Sequence, residues 1–269
     1  MLGLAPIGVL KRVGRKMLGQ AIWWSCITIE AVILARALFG KLLNQYPAFY
    51  AYLLFVCMQS LLRFSVYHAR PQLYPNVYWI TEGLGILAGC AVVFDIYGVG
   101  LRAYPGTARL ARNLLAFVFL LALVKATVET GNNPLWWSKA TTLDVELALR
   151  VVQALALLAL VVLFLFYAIP FGRNLRGILL GYGLFLGESV VWLSFAPRSG
   201  ENFRAFWSPI HAGSYSVVLL VWALHLWSYV PNPEPKASVR LEEHYQKMAA
   251  STSRRLQEAR GYLAKAVRP

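Results

Sequence analysis

Apolar runs of about twenty residues recur along this chain, separated by short loops rich in Pro, Gly, Asn and Arg, and that spacing leaves few choices of fold. A helix rises about 1.5 Å per residue, so roughly twenty residues cross the hydrocarbon layer of a bilayer. Inside that layer every backbone N–H and C=O needs a partner within the protein, a demand that a helix meets on its own. Seven segments have the required length: Ala21 to Phe39, Pro47 to Tyr67, Val77 to Tyr97, Arg109 to Val128, Asp144 to Ile169, Leu175 to Phe195 and His211 to Val230. The expected fold is all-α, a polytopic integral membrane bundle of seven helices with a C-terminal amphipathic helix. Three parts follow: a basic N-terminal segment (1–20), the transmembrane domain (21–230), and a Pro-rich linker with a basic tail helix (231–269).

Composition agrees. Of 269 residues, 58% are hydrophobic and 14% charged, and the mean hydropathy is +0.54. Soluble domains carry about 25% charged residues, so an ordinary cytosolic enzyme is excluded. The formal charge of +14 would point to nucleic acid in a soluble protein. Here most Lys and Arg lie in loops and in the tail, where they report topology and anionic lipid head groups, so no nucleic-acid partner is expected. Cys26, Cys57 and Cys90 each fall inside an apolar run, without CxxC or metal-ligand spacing, and read as packed thiols. The first apolar run continues through Arg36 into Lys41 without a small-residue cleavage site, so it reads as a retained helix.

Local punctuation supports the segment starts. Tyr46-Pro47, Tyr74-Pro75 and Tyr104-Pro105 stand at or before three of them, where a missing N–H costs nothing and the fixed φ suits a first turn. The sequences after them do not match, so the dipeptide is punctuation and not a repeat. Gly85 and Gly89, then Gly177, Gly181, Gly183 and Gly187, give three GxxxG spacings at which backbones can approach closely.

Lys and Arg near the two sets of segment ends nearly balance, nine on the C-terminal side against eight. The basic tail and a belt of Trp on the opposite side (Trp23, Trp24, Trp79, Trp136, Trp137, Trp192, Trp207) favour a cytoplasmic C-terminus, in a bacterial inner membrane. Beyond Pro231-Asn-Pro-Glu-Pro235, the residues Leu241, Tyr245, Met248, Thr252, Leu256, Ala259 and Leu263 recur at spacings of three and four among Arg, Lys and Glu. That pattern suits a helix lying on the bilayer and its anionic head groups, or pairing with a second copy or a membrane partner.

The informative residues are ionisable groups within the spans: Glu30, Arg36, Arg63, Glu82, Asp95, Lys125, Arg150, Glu188 and His225. A charge facing lipid at the bilayer centre costs roughly 2.5–3.5 kcal/mol, so the set must face the bundle interior or snorkel. Counted inward from the N-terminal side, Glu30, Arg63, Glu82, Lys125, Arg150 and Glu188 share one half of the membrane, and Arg36, Asp95 and His225 lie toward the other. Arg150 follows Glu146 by four residues and Lys125 precedes Glu129 by four, so each pair shares a helical face. Arg63, above Gln59 and Ser60, is expected to pair across helices with Glu82 or Glu30. Glu188 is then expected to be the acid left without a protein cation, holding a proton or meeting a bound cation or amine.

Three readings compete. In one, the charges form a salt-bridge lattice that keeps the helices in register, as a structural or accessory subunit would need. In another, Glu30, Arg63, Glu82 and Glu188, with Tyr78, Trp79 and Trp192, line a polar cavity that binds or senses a small polar or amphipathic molecule. A proton or ion path through Glu188, Glu30 and His225 would make the protein a coupled transporter. The last segment holds no lysine for a retinal Schiff base, and HExxH, Gly-x-Ser-x-Gly and Walker-type loops are absent. No cofactor, metal or enzymatic activity is therefore expected.

Overall fold

A computed structural model describes the backbone of residues 7–40, 42–131, 139–167, 169–170, 172–195, 201–233 and 238–266. Within these it describes the side chains of 20–40, 42–125, 128, 145–167, 169–170, 172–195, 207, 210, 213–233 and 243–260. Among the described residues all regular structure is helical: α1 (Ile7–Leu38), α2 (Leu42–Gln45), α3 (Pro47–Ala69), α4 (Tyr74–Gly100), α5 (Pro105–Gly131), α6 (Lys139–Phe166), α7 (Arg173–Phe195), α8 (Glu201–Leu226) and α9 (Ser238–Ala266). Six of them, α1 and α3 to α7, contain stretches long and apolar enough to cross a bilayer. The chain is a polytopic helical membrane bundle. The seventh expected segment falls on α8, whose apolar described stretch, Gly213–Leu226, is shorter.

The Tyr-Pro dipeptides do start helices: α3 and α5 begin on Pro47 and Pro105, and Pro75 occupies the first turn of α4. Because Tyr46 provides no side-chain cap for α3, the first N–H groups of that helix need acceptors from elsewhere. Asp95, near the far end of α4, supplies one: its Oδ2 accepts from the Ala48 N–H at 3.2 Å. A carboxylate at the positive end of a helix is favourable, which accounts for one of the charges within the spans. The last expected segment ends early for a similar reason. Asn174 at the start of α7 donates to the carbonyls of His225 and Ser228, both at 2.8 Å, and its Oδ1 accepts from Val230 N–H at 2.7 Å. These bonds turn residues 227–230 out of the helix.

α7 packs on α8 and α6, α3 on α4, and α1 against α3 and α8. Lipid is as apolar as leucine, so such contacts depend on close packing and small residues. Any Cβ added at Gly181 would collide with the Trp222 indole, one at Gly177 with His225, and one at Gly89 with the Tyr182 hydroxyl, whereas Gly183 and Gly187 face open space. The spacing Gly177/Gly181 therefore seats α8, and Gly183/Gly187 serves no contact within the described part of the chain. Large apolar side chains such as Leu114, Leu120, Leu158 and Leu224 stay exposed on the outer surface, as a surface in hydrocarbon should. All three cysteines are free thiols, Cys26 and Cys57 buried and Cys90 partly so. Residues 1–6, part of the expected basic segment, lie outside the described ones. Its Lys11–Lys16 stretch continues α1 as one helix.

Candidate functional site

Helical spacing brings polar side chains of five helices to one place. Residues 52, 56, 59 or 60, and 63 of α3 step by three and four, as do 78, 82, and 85 or 86 of α4, and 146, 150 and 153 of α6, so each set forms one stripe. With Tyr182, Phe185, Glu188, Ser189 and Trp192 of α7, and Ser214 and Tyr215 of α8, these stripes enclose a cavity of about 310 Å³. A space of this size takes several waters or a small organic molecule.

Four alternating charges line one wall. Glu82 lies between two arginines: its Oε2 accepts from Arg63 Nη2 at 3.0 Å and its Oε1 from Arg150 Nη2 at 2.7 Å. Arg150 also donates through Nε to Glu146 Oε1 at 2.8 Å. The chain Glu146–Arg150–Glu82–Arg63 sums to zero charge, so each ion is compensated where it stands. Arg63 is fixed further by donating from Nε to Thr81 Oγ1 at 2.9 Å and from Nη2 to the Tyr78 carbonyl at 3.0 Å, with its guanidinium 4.2 Å from the Tyr78 ring centre. The Arg150 guanidinium lies 5.0 Å from the Phe185 ring centre. Both stackings suit the flat, weakly hydrated guanidinium.

Gln153 closes the inner end of the cavity. Its Nε2 donates to the Ile86 carbonyl at 3.1 Å and to Cys90 Sγ at 3.2 Å, and its Oε1 accepts from the Tyr182 hydroxyl at 3.3 Å. Gly89 leaves the room that this hydroxyl occupies. Tyr52 packs edge-on to Tyr182, ring centres 5.8 Å apart.

Glu30 sits one layer behind the wall, where α1 meets α3 and α8, and is 1% exposed. Its Oε1 accepts from the Tyr215 hydroxyl at 2.6 Å, while Oε2 is buried without a hydrogen-bond partner. The Cys57 thiol stands beside it, and the Cys26 thiol on its own helix meets the Ser216 hydroxyl at 3.3 Å. Tyr215 lines the cavity and Glu30 does not. Among the described residues no cation pairs with Glu30.

The expected residues divide accordingly. Arg63, Glu82, Glu188, Tyr78 and Trp192 line the cavity, and the expected cross-helix partner of Arg63 is Glu82. Two expectations need correction. Trp79 is packed edge-on behind Tyr78, ring centres 5.1 Å apart, and does not line the cavity. Glu188 has an interaction of its own, so its expected lack of any partner does not hold, and Glu30 is a buried acid with no cation among the described residues. His225 is not brought to the cavity: its Nδ1 is bonded within α8 to the Val221 carbonyl at 2.9 Å, and its ring packs on Gly177. The expected Lys125–Glu129 pair lies outside the described side chains.

Spacing alone makes Arg150 and Glu146 a self-contained interfacial pair, and it does not single out Gln153, Tyr52, Tyr182 or Tyr215. The signal for Gln153 is that it continues the stripe of Glu146 and Arg150 into the apolar run that follows; the three tyrosines carry no such signal. Among the described residues no group of three or more His, Cys, Asp or Glu is placed to hold a metal ion. No protein-family model, no curated protein and no solved structure matches the chain.

Proposed function

We propose that this protein is a seven-crossing membrane receptor or sensor that binds a small polar or amphipathic molecule in the cavity between α3, α4, α6, α7 and α8. The observation that carries this reading is a roomy polar cavity in which four wall charges, Glu146, Arg150, Glu82 and Arg63, already compensate one another. A lattice needed for register alone would close on itself and leave no space. In hydrocarbon, keeping about 310 Å³ beside buried arginines costs packing contacts that a ligand restores. Aromatic faces of Tyr52, Phe185 and Trp192 and the polar groups of Ser60, Gln59 and Glu188 suit a molecule with both characters.

Orientation follows the same reading: α8 crosses as the seventh helix, the cavity opens on the N-terminal, outer side of a bacterial inner membrane, and the tail lies in the cytoplasm on anionic lipid. A proton- or ion-coupled transporter is the second reading, favoured by the buried carboxyl of Glu30. It requires access from both faces, and the Gln153–Tyr182 layer stands against that.

The test is thermal unfolding of the detergent-purified protein against a panel of small polar and amphipathic compounds, in parallel with Ser60→Trp, which fills the cavity. Compounds that raise the midpoint of the natural chain and leave Ser60→Trp unmoved support the proposal. Equal shifts in both proteins would overturn it. Flux of a stabilising compound into proteoliposomes would transfer support to the transporter.

A further inference from the structure

We propose that Glu30 is a proton-binding site, a neutral carboxylic acid in the resting protein that exchanges its proton with the cavity through Tyr215.

The argument rests on placement. A carboxylate buried among α1, α3 and α8 needs either a cation or several strong donors, and Glu30 receives one strong donor, the Tyr215 hydroxyl, beside the weak thiol donor of Cys57. The groups that face it are Cys26 on its own helix, Tyr52 and Cys57 on α3, and Tyr215 and Ser216 on α8. None of these is a base. Arg63 and Arg150, the cations of the neighbouring cavity, are already engaged with Glu82 and Glu146. With a proton on the unpartnered Oε2, the side chain becomes a neutral acid whose Oε1 still accepts from Tyr215, and a buried neutral group is far cheaper than a buried charge.

Tyr215 gives this acid its connection. Its ring lines the cavity, and its hydroxyl ends 2.6 Å from Glu30 Oε1. Starting from the ionised carboxylate, a hydronium ion in the cavity gives a proton to the phenol oxygen as the phenol passes its own proton to Glu30 Oε1, and a half-turn of the carboxyl group then carries that proton to the Oε2 side and turns the bare oxygen back to the Tyr215 hydroxyl. One O–H bond breaks on the hydronium and one forms on the carboxyl, leaving water, a neutral phenol and a neutral acid. A ligand that draws the Tyr215 hydroxyl toward itself removes the carboxylate's donor, so its binding and protonation of Glu30 favour each other. This linkage rests on the ligand-binding reading. The protonated acid does not.

Infrared spectroscopy of the purified full-length protein in lipid nanodiscs tests the proposal. At neutral pH the natural chain should show the carbonyl stretch of a protonated carboxylic acid, shifted down in D2O and lost from the difference spectrum in Glu30→Gln. Tyr215→Phe should keep the band and raise its frequency, because the hydrogen bond to the carbonyl is gone. Glu188→Gln should leave it unchanged. Since glutamine copies the shape of the neutral acid, Glu30→Gln should unfold at the same temperature as the natural chain. The proposal is overturned by the absence of the band, by its survival in Glu30→Gln, or by collapse of Glu30→Gln on purification. Failure to find any stabilising compound would count against the cavity ligand and leave this result standing.

Discussion

Arg150 Nη2 lies 2.7 Å from Glu82 Oε1, a contact between α6 and α4 that the four-residue spacing of Glu146 and Arg150 does not reveal. Through it a local pair on one helix becomes a cross-bundle chain, because the second oxygen of Glu82 takes Arg63 of α3. Three helices are thus joined by one carboxylate.

Removing the central base should be the costliest change in that chain. Arg150→Met leaves Glu82 and Glu146 as neighbouring buried acids, and breaking a buried pair costs about 3–5 kcal/mol. Arg63→Met leaves Glu82 with Arg150 and should cost less. Chemical unfolding in detergent, followed by tryptophan fluorescence, should rank the variants natural chain, Arg63→Met, Arg150→Met. An Arg150→Met protein as stable as the natural chain would contradict the network.

Much of this architecture is legible in the sequence. Run length and helix punctuation locate the crossing helices, because both report backbone demands that hydrocarbon makes local. The cost of buried charge also singles out Arg63, Glu82 and Glu188 from their positions within apolar runs alone. Which charge meets which is not local. Arg150 has an acid four residues before it that satisfies it in one dimension, while its second partner lies 68 residues away. Counting depth along a helix groups Glu30 with the cavity, whereas the rotation that places it behind Tyr215 depends on how α1 meets α8. The use of Asp95 as a cap for α3 is hidden in the same way, being a contact across 47 residues.

Glycine substitutions should separate used from unused close approaches. Gly181→Val drives a branched side chain into Trp222, and overpacking costs typically about 1–3 kcal/mol. Gly183→Val meets open space two residues along the same helix. The expected outcome is a lowered unfolding midpoint for Gly181→Val and an unchanged midpoint for Gly183→Val. If both fall equally, the effect comes from α7 itself and not from its contact with α8.

Asp95→Asn should weaken the start of α3 without touching the cavity. The carboxylate accepts from Ala48 N–H at the positive end of that helix, and losing such a charge costs about 0.5–2 kcal/mol. Hydrogen exchange should quicken at residues 48–50 and stay unchanged at 82 and 150. Faster exchange spread evenly over α3 and α4 would mean that Asp95 supports packing and not the helix terminus.

The tail helix offers a separate prediction. Along α9, Met248 and Leu256 lie on the exposed surface, with Lys247, Arg254 and Arg255 beside them. α9 packs on α5, and the His244 ring also meets the Tyr167 hydroxyl at 3.3 Å just beyond the end of α6. An apolar stripe flanked by bases belongs on anionic lipid, where each base near the surface contributes about 1 kcal/mol at physiological ionic strength. Trypsin should therefore cut after Arg254 or Arg255 slowly in nanodiscs containing phosphatidylglycerol, and quickly in phosphatidylcholine. High salt should speed cleavage in the anionic discs by screening that attraction. Met248→Glu with Leu256→Glu should do the same at low salt. Equal cleavage rates in both lipids would place α9 away from the membrane and leave a second copy or a protein partner as the cover for its apolar stripe.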